Sequence, residues 1–140
     1  MPGSFLVVKE IPMKKQVGLW LDHRKAVMVI LTDGVGEIKE IPSNVEKRIR
    51  YKSSRDLEDR TGEDVRDRRL ENQRNLFYDE VIKFMEDAEA IQIFGPGEAK
   101  KELEKRIDQA DLKAATITVE SADKMTNRQI SARVRDYFLK

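Results

Sequence analysis

The 140-residue chain contains no cysteine and a single histidine, His23. Without thiols there is no disulfide framework, no thiolate zinc site and no cysteine nucleophile. One histidine excludes a multi-histidine metal centre built from a single chain. Aromatic residues make up only 6%, with seven glycines and four prolines, so collagen-like and Pro/Gly low-complexity classes are excluded. No apolar run approaches the roughly 18 residues of a membrane-spanning helix. The opening stretch MPGSFLVVKEIPMKK has too short an apolar core for a signal peptide. The expectations that follow are a cytoplasmic location, no membrane partner, no metal and no small-molecule cofactor.

What the chain has in abundance is charge. Charged residues make up 38%, with 27 basic and 26 acidic side chains and a net charge of +1. An average soluble domain carries about 25%. The balance excludes a domain that coats nucleic acid by bulk charge alone. The charge is concentrated, however. Residues 43–75 hold ten basic and eight acidic side chains. Only Val45, Ile49, Tyr51, Leu57, Val65 and Leu70 are apolar there. The remainder has the composition of an ordinary globular domain. The chain therefore reads as one domain over residues 1–140, interrupted by a charged, mobile loop over 43–67. Loops beyond about 15 residues are uncommon in compact domains and are usually functional or disordered.

The charged stretch is blocky. Lys47, Arg48, Arg50, Lys52 and Arg55 fall within nine residues and no acid interrupts them. Asp56, Glu58, Asp59, Glu63 and Asp64 follow, and Arg66, Arg68, Arg69 and Arg74 restore the positive sign. Guanidinium and ammonium groups make charge-assisted hydrogen bonds to phosphate, and Tyr51 inside the cluster offers a ring on which an exposed base can stack. These nine basic residues, with Tyr51, form the candidate RNA-binding set.

Hydrophobic periodicity gives the order of elements. Residues 17–21 (VGLWL) and 26–31 (AVMVIL) are short apolar runs that read as strands. The polar turn Asp22-His23-Arg24-Lys25 separates them. A Gly-rich turn at 32–36 leads to an alternating strand over 37–41, giving an antiparallel meander. A short leading strand over 5–8 is a further expectation. Phe77, Val81, Phe84, Met85 and Ala88 recur at helical spacing and predict an amphipathic helix over 70–87, whose early turns extend back into the arginine-rich stretch. Residues 90–94 (AIQIF) read as a strand. Pro96 is expected at the first position of the next helix, with Glu98 in its first turn. Ala99, Leu103, Ile107 and Ala110 form its apolar stripe. Residues 114–119 (AATITV) read as a strand. Thr126 and Gln129 make a capping box for a last helix, with Met125 and Ile130 as a hydrophobic staple. That helix is expected to bury Ile130, Val134 and either Tyr137 or Phe138. The fold class is α/β, in the order β-β-β-α-β-α-β-α. Three meander strands and two parallel strands form a mixed five-stranded sheet with helices on both faces, a ribonuclease H-like layout.

This layout, with the strings RRLENQRNLFYDEVIKF and AIQIFGPGEAKKELEKRI, resembles the central domain of eukaryotic and archaeal peptide-chain release factors and pelota. The resemblance runs from about Val17 to Phe138. In that family a long basic loop lies between the third strand and the first long helix, and here residues 43–67 occupy that place. In release factors the loop carries a Gly-Gly-Gln tripeptide that promotes peptidyl-tRNA hydrolysis. No such tripeptide occurs here, and the only glycine of the loop is Gly62. Pelota, a ribosome-rescue factor, also lacks it. The resemblance thus implies a non-catalytic, translation-related domain with the ribosome or a structured RNA as its partner.

The sequence admits two other function classes. A metal-assisted phosphodiesterase would use Asp22, at the end of the first strand, with Glu71, Asp79 or Glu80 from the helix. The set is incomplete, because the fourth strand offers no acid before Glu98. A protein-interaction module, in the form of a homodimer, is the third reading. Gly95 and Gly97 lie between a strand and a helix, where backbone N–H groups form a candidate anion site. His23 reads as a solvated turn residue and Trp20 as core.

Overall fold

The structure, a computed structural model, describes residues 14–44, 63–112, 114 and 116–139, with side chains omitted at 63–65. The element order is β1 (Lys15–Leu21), β2 (Lys25–Thr32), β3 (Val35–Pro42), α1 (Glu63–Lys83), β4 (Ala90–Gly95), α2 (Ala99–Ala110), β5 (Thr116–Ser121) and α3 (Asn127–Leu139). The leading strand expected over 5–8 and most of the charged loop, 45–62, lie outside the described residues.

The five strands form one sheet in the order β3-β2-β1-β4-β5. The first three make the expected antiparallel meander, with Leu21 opposite Ala26 and Thr32 opposite Val35. β4 runs parallel to β1, and β5 parallel to β4. This is the ribonuclease H-like arrangement. Asp33 and Gly34 make the two-residue turn between β2 and β3, both with positive φ (51° and 83°). Asp-Gly tolerates such a turn, whose twist matches that of the strands.

Both faces of the central strands are covered, which is why β1 and β2 read as continuous apolar runs. On one face, Val17, Leu19, Leu21, Met28, Ile91 and Ile93 pack against Phe77, Tyr78 and Val81 of α1, Met85 in the turn after it, and Leu103 and Ile107 of α2. On the other, Trp20, Val27, Val29, Leu31 and Phe94 pack against Ile130 and Val134 of α3. Trp20 is core as expected, and its indole N–H donates to the Asp123 carbonyl at 3.0 Å. Gly18 admits α3 to the sheet, since a Cβ there would lie 2.3 Å from a Val134 methyl.

The capping box forms as read. Gln129 N–H donates to Thr126 Oγ1 at 3.1 Å, and Thr126 N–H donates to Gln129 Oε1 at 2.9 Å. Met125 packs with Ile130 on the α3 face. Phe138 packs there too, whereas Tyr137 is exposed.

The helix bounds, the bounds of β5 and one buried position differ from expectation. α1 begins at Glu63, inside the arginine-rich stretch into which its early turns are expected to extend, and it ends at Lys83, short of the expected 87. From Arg66 to Leu76 none of its side chains is buried, so the apolar period that marks the helix begins only at Phe77. α2 begins at Ala99 with Glu98 as its N-cap, so Pro96 sits in the preceding turn instead of the first helical position. Gly97, at φ +66°, is the cause: its left-handed conformation interrupts any helix starting at Pro96. Finally, Ala110 at the end of α2 is exposed, whereas Lys100 at its start is buried, with its amine donating to the Gly97 carbonyl at 2.5 Å.

Candidate functional site

The carboxyl ends of β1 and β4 come together at one edge of the domain. In parallel sheets this is where ligand sites form. Gly95 permits the approach, because a Cβ there would fall 2.1 Å from the Leu21 carbonyl oxygen. The turn after β1, the residues after β3, and helices α1 and α2 all meet nearby.

Asp22 organises the turn after β1. Its Oδ1 accepts the backbone N–H of Arg24 at 2.8 Å and of Lys25 at 3.0 Å. This is an Asx turn, in which a short carboxylate stands in for a backbone acceptor. The chain leaving β3 is tied to the same turn. Ser43 N–H donates to the Arg24 carbonyl at 2.8 Å, and Ser43 Oγ donates to the His23 carbonyl at 2.7 Å. The charged loop therefore departs from a fixed point.

His23 is not simply solvated. Its Nε2 lies 3.1 Å from Oε1 of Glu102, on α2. The same oxygen accepts the Tyr78 hydroxyl of α1 at 2.6 Å. Arg74, one turn earlier on α1, lies 3.9 Å from the other oxygen of Glu102. Burial, and then the hydrogen bond to Glu102, push the Tyr78 hydroxyl well above its usual range, so it remains a protonated donor. One carboxylate thus joins the β1–β2 turn, α1 and α2. No sequence pattern marks this group, since its members lie 79 and 24 residues apart.

Between α1 and α2 runs a groove of about 420 Å³, lined by Asp67, Glu71, Arg74, Tyr78, Glu102 and Arg106 among others. Arg106 closes one side with a bidentate pair to Asp79, at 2.7 and 2.9 Å. The guanidinium holds the Asp79 carboxyl below the usual carboxylate range.

The candidate RNA-binding set divides. Lys47, Arg48, Arg50, Tyr51, Lys52 and Arg55 lie outside the described residues. Arg66 and Arg68 are exposed on the first turns of α1. Arg69 is half-buried. Arg74 faces the groove and Glu102, and its Nε, buried, has no hydrogen-bond partner among the described atoms. Gly95 and Gly97 serve the turn, the first by close backbone approach and the second by its positive φ.

The carboxylates weighed for metal chemistry are placed apart in function. Asp22 caps its own turn, Asp79 pairs with Arg106, and Glu71 and Glu80 line different grooves. Among the described residues, no group of three or more His, Asp and Glu side chains is placed to hold a metal ion. No described helix is long and apolar enough to cross a membrane.

No protein-family model matches the sequence. No curated protein matches it either. Solved structures do. The pelota protein of Archaeoglobus fulgidus aligns over 99% of this chain and 36% of its own, with a TM-score of 0.53 and 15% identity. The pelota protein of Thermoplasma acidophilum aligns over 98% of this chain and 36% of its own, with a TM-score of 0.50 and 11% identity. An archaeal translation termination factor, aRF1, aligns over 89% of this chain and 39% of its own at a TM-score of 0.47 and 12% identity. The chain spans little more than a third of the length of these proteins. At such identities the two pelota alignments speak to architecture alone: the described residues have the ribonuclease H-like, pelota-type fold.

Proposed function

We propose that this chain is a non-catalytic, translation-related domain that contacts the ribosome or a structured RNA. The contact is made by Lys47, Arg48, Arg50, Tyr51, Lys52 and Arg55, extended by Arg66, Arg68 and Arg69 at the start of α1. The observation that carries this reading is the position of the basic block in the fold. It lies between the end of β3, pinned by Ser43 to the β1–β2 turn, and the first turn of α1. In the family that the sequence resembles, the basic loop occupies this connection. The pelota-type fold supports the same reading.

The chemistry suits phosphate. Five closely spaced cations offer several phosphate contacts, and Tyr51 adds a stacking surface. The acidic block from Asp56 to Asp64 would compete with phosphate for those cations when RNA is absent.

Sedimentation with ribosomes at low and high salt tests the proposal. Five single-strand phosphate contacts predict a loss of roughly a hundredfold in affinity between 50 and 200 mM salt. Replacing Lys47, Arg48, Arg50, Lys52 and Arg55 by alanine should abolish co-sedimentation. Binding that survives the replacement, or that ignores salt, would overturn the proposal.

A further inference from the structure

β3 is the end strand of the sheet, and among the described residues nothing pairs with its outer side. It is eight residues long, and six of them before Ile41 are mostly exposed: Val35 by 74% and Ile38 by 48%. An edge of this length is a pairing template unless charge or shape blocks it. The charge here does not block pairing with one particular partner.

Which backbone groups point outward follows from the hairpin. A two-residue turn closes on a hydrogen-bonded pair, here Thr32 and Val35. Bonded pairs then alternate along the ladder, so Glu37, Lys39 and Ile41 bond inward to β2. The N–H and C=O groups of Gly36, Ile38 and Glu40 point to the open side. That set is symmetric about Ile38.

We propose that β3 pairs antiparallel with β3 of a second copy of this chain, across a two-fold axis at Ile38. Ile38 then exchanges both backbone bonds with Ile38 of the second copy. Gly36 bonds to Glu40 of the second copy, and Glu40 to its Gly36. Between these bonded pairs, Glu37 faces Lys39 of the second copy on the α1 side of the sheet, and Lys39 faces its Glu37. Both cross-strand pairs join opposite charges, at the positions where side chains approach most closely. On the other side the two Ile38 side chains meet. The strand EIK is self-complementary in hydrogen bonding, charge and apolar contact in one and the same register. A shift by one residue removes the match, since it sets Glu37 against Glu40.

The interface is isologous, as a two-fold requires, and extends the sheet to ten strands. One strand pair buries less than the roughly 1,000 Å² of a stable interface, so the dimer is weak and concentration-dependent.

Charge reversal tests the register. In E37K and in K39E, two attractive pairs become two repulsive ones, and the dimer dissociation constant should rise by about tenfold in each. The E37K/K39E double variant restores opposite pairs and should dimerise like the parent. An equimolar mixture of E37K and K39E should form a mixed dimer, because lysines then face glutamates. Sedimentation velocity from about 10 µM to 1 mM reads all four, with circular dichroism to show that each variant is folded. A parent chain that stays monomeric throughout this range overturns the proposal. So does a dimer that is indifferent to either reversal, or a mixture that fails to associate.

Discussion

The Tyr78 hydroxyl donates to Glu102 Oε1 at 2.6 Å, from a residue that is 1% exposed to one at the domain surface. The bond links α1 to α2, and through His23 it reaches the turn after β1. The partners are unequal in what they lose if the bond is broken.

Replacing Glu102 by alanine leaves a buried hydroxyl without a partner, which costs about 1–3 kcal/mol. Tyr78→Phe removes the hydroxyl itself and leaves Glu102 with His23 and solvent, at a cost of about 1 kcal/mol. Urea unfolding of both variants should rank E102A as the less stable. The reverse order would mean that the hydroxyl is satisfied elsewhere.

Burial of Tyr78, together with this bond, sets an alkaline limit. Tyr78 holds its proton more tightly folded than its usual value of 10.0. The native state therefore binds more protons than the unfolded state above about pH 10, and stability falls as pH rises from there. Absorbance titration should show one of the three tyrosines ionising only as the chain unfolds. In Y78F the alkaline loss of stability should be shallower.

On the acid side the sign is opposite. Asp79 and Asp87 are held below their usual range, by Arg106 and Lys15 respectively. Their contribution is present above the unfolded value of 3.8 and is lost as pH falls below it. Both pairs are substantially exposed, so each contributes little at physiological salt. Asp79→Asn should flatten the acid limb of the stability curve and leave the neutral region nearly unchanged, as read by thermal melts from pH 2 to 7.

Gly18 and Val134 form a second coupled pair. Gly18→Ala should destabilise by about 1–3 kcal/mol, because its methyl enters the space of Val134. Val134→Ala alone should also destabilise, through a cavity on the α3 face. The double variant should be more stable than the sum predicts, since the new methyl fills the space vacated. Strict additivity in a double-mutant cycle would mean that α3 shifts away instead of packing.

If the proposed contact is made, the exposed arginines of α1 separate binding from folding. R66A/R68A should leave the unfolding midpoint unchanged while weakening ribosome co-sedimentation. Arg74→Ala should lower the midpoint, because this side chain belongs to the groove beside Glu102.

The sequence carries the fold legibly where burial imposes a period. VGLWL and AVMVIL read as central strands because both faces of β1 and β2 are covered. The capping box was legible because Thr126 and Gln129 act locally. Boundaries failed where no apolar residue marks them. The apolar period marks α1 only over its second half because none of its side chains from Arg66 to Leu76 is buried, and the sequence places the start of α2 too early because proline is common at helix starts but cannot announce the positive φ of Gly97. The cluster around Glu102 was not legible at all. It is assembled by the crossover that lays α1 and α2 on one face, and a lone histidine in a polar turn gives no sign of a partner 79 residues away.

The two halves of α1 have different obligations. From Phe77 onward the helix is held by the core, and its apolar residues are constrained by volume. Before Phe77 it is a polar rod whose outward residues the core does not inspect. Arg66, Asp67 and Arg68 can therefore be exchanged for other charges while the domain keeps its shape. Any recognition carried on that rod is free to drift in evolution without a debt in stability, and relatives are expected to share the anchored half of the helix more faithfully than the free one.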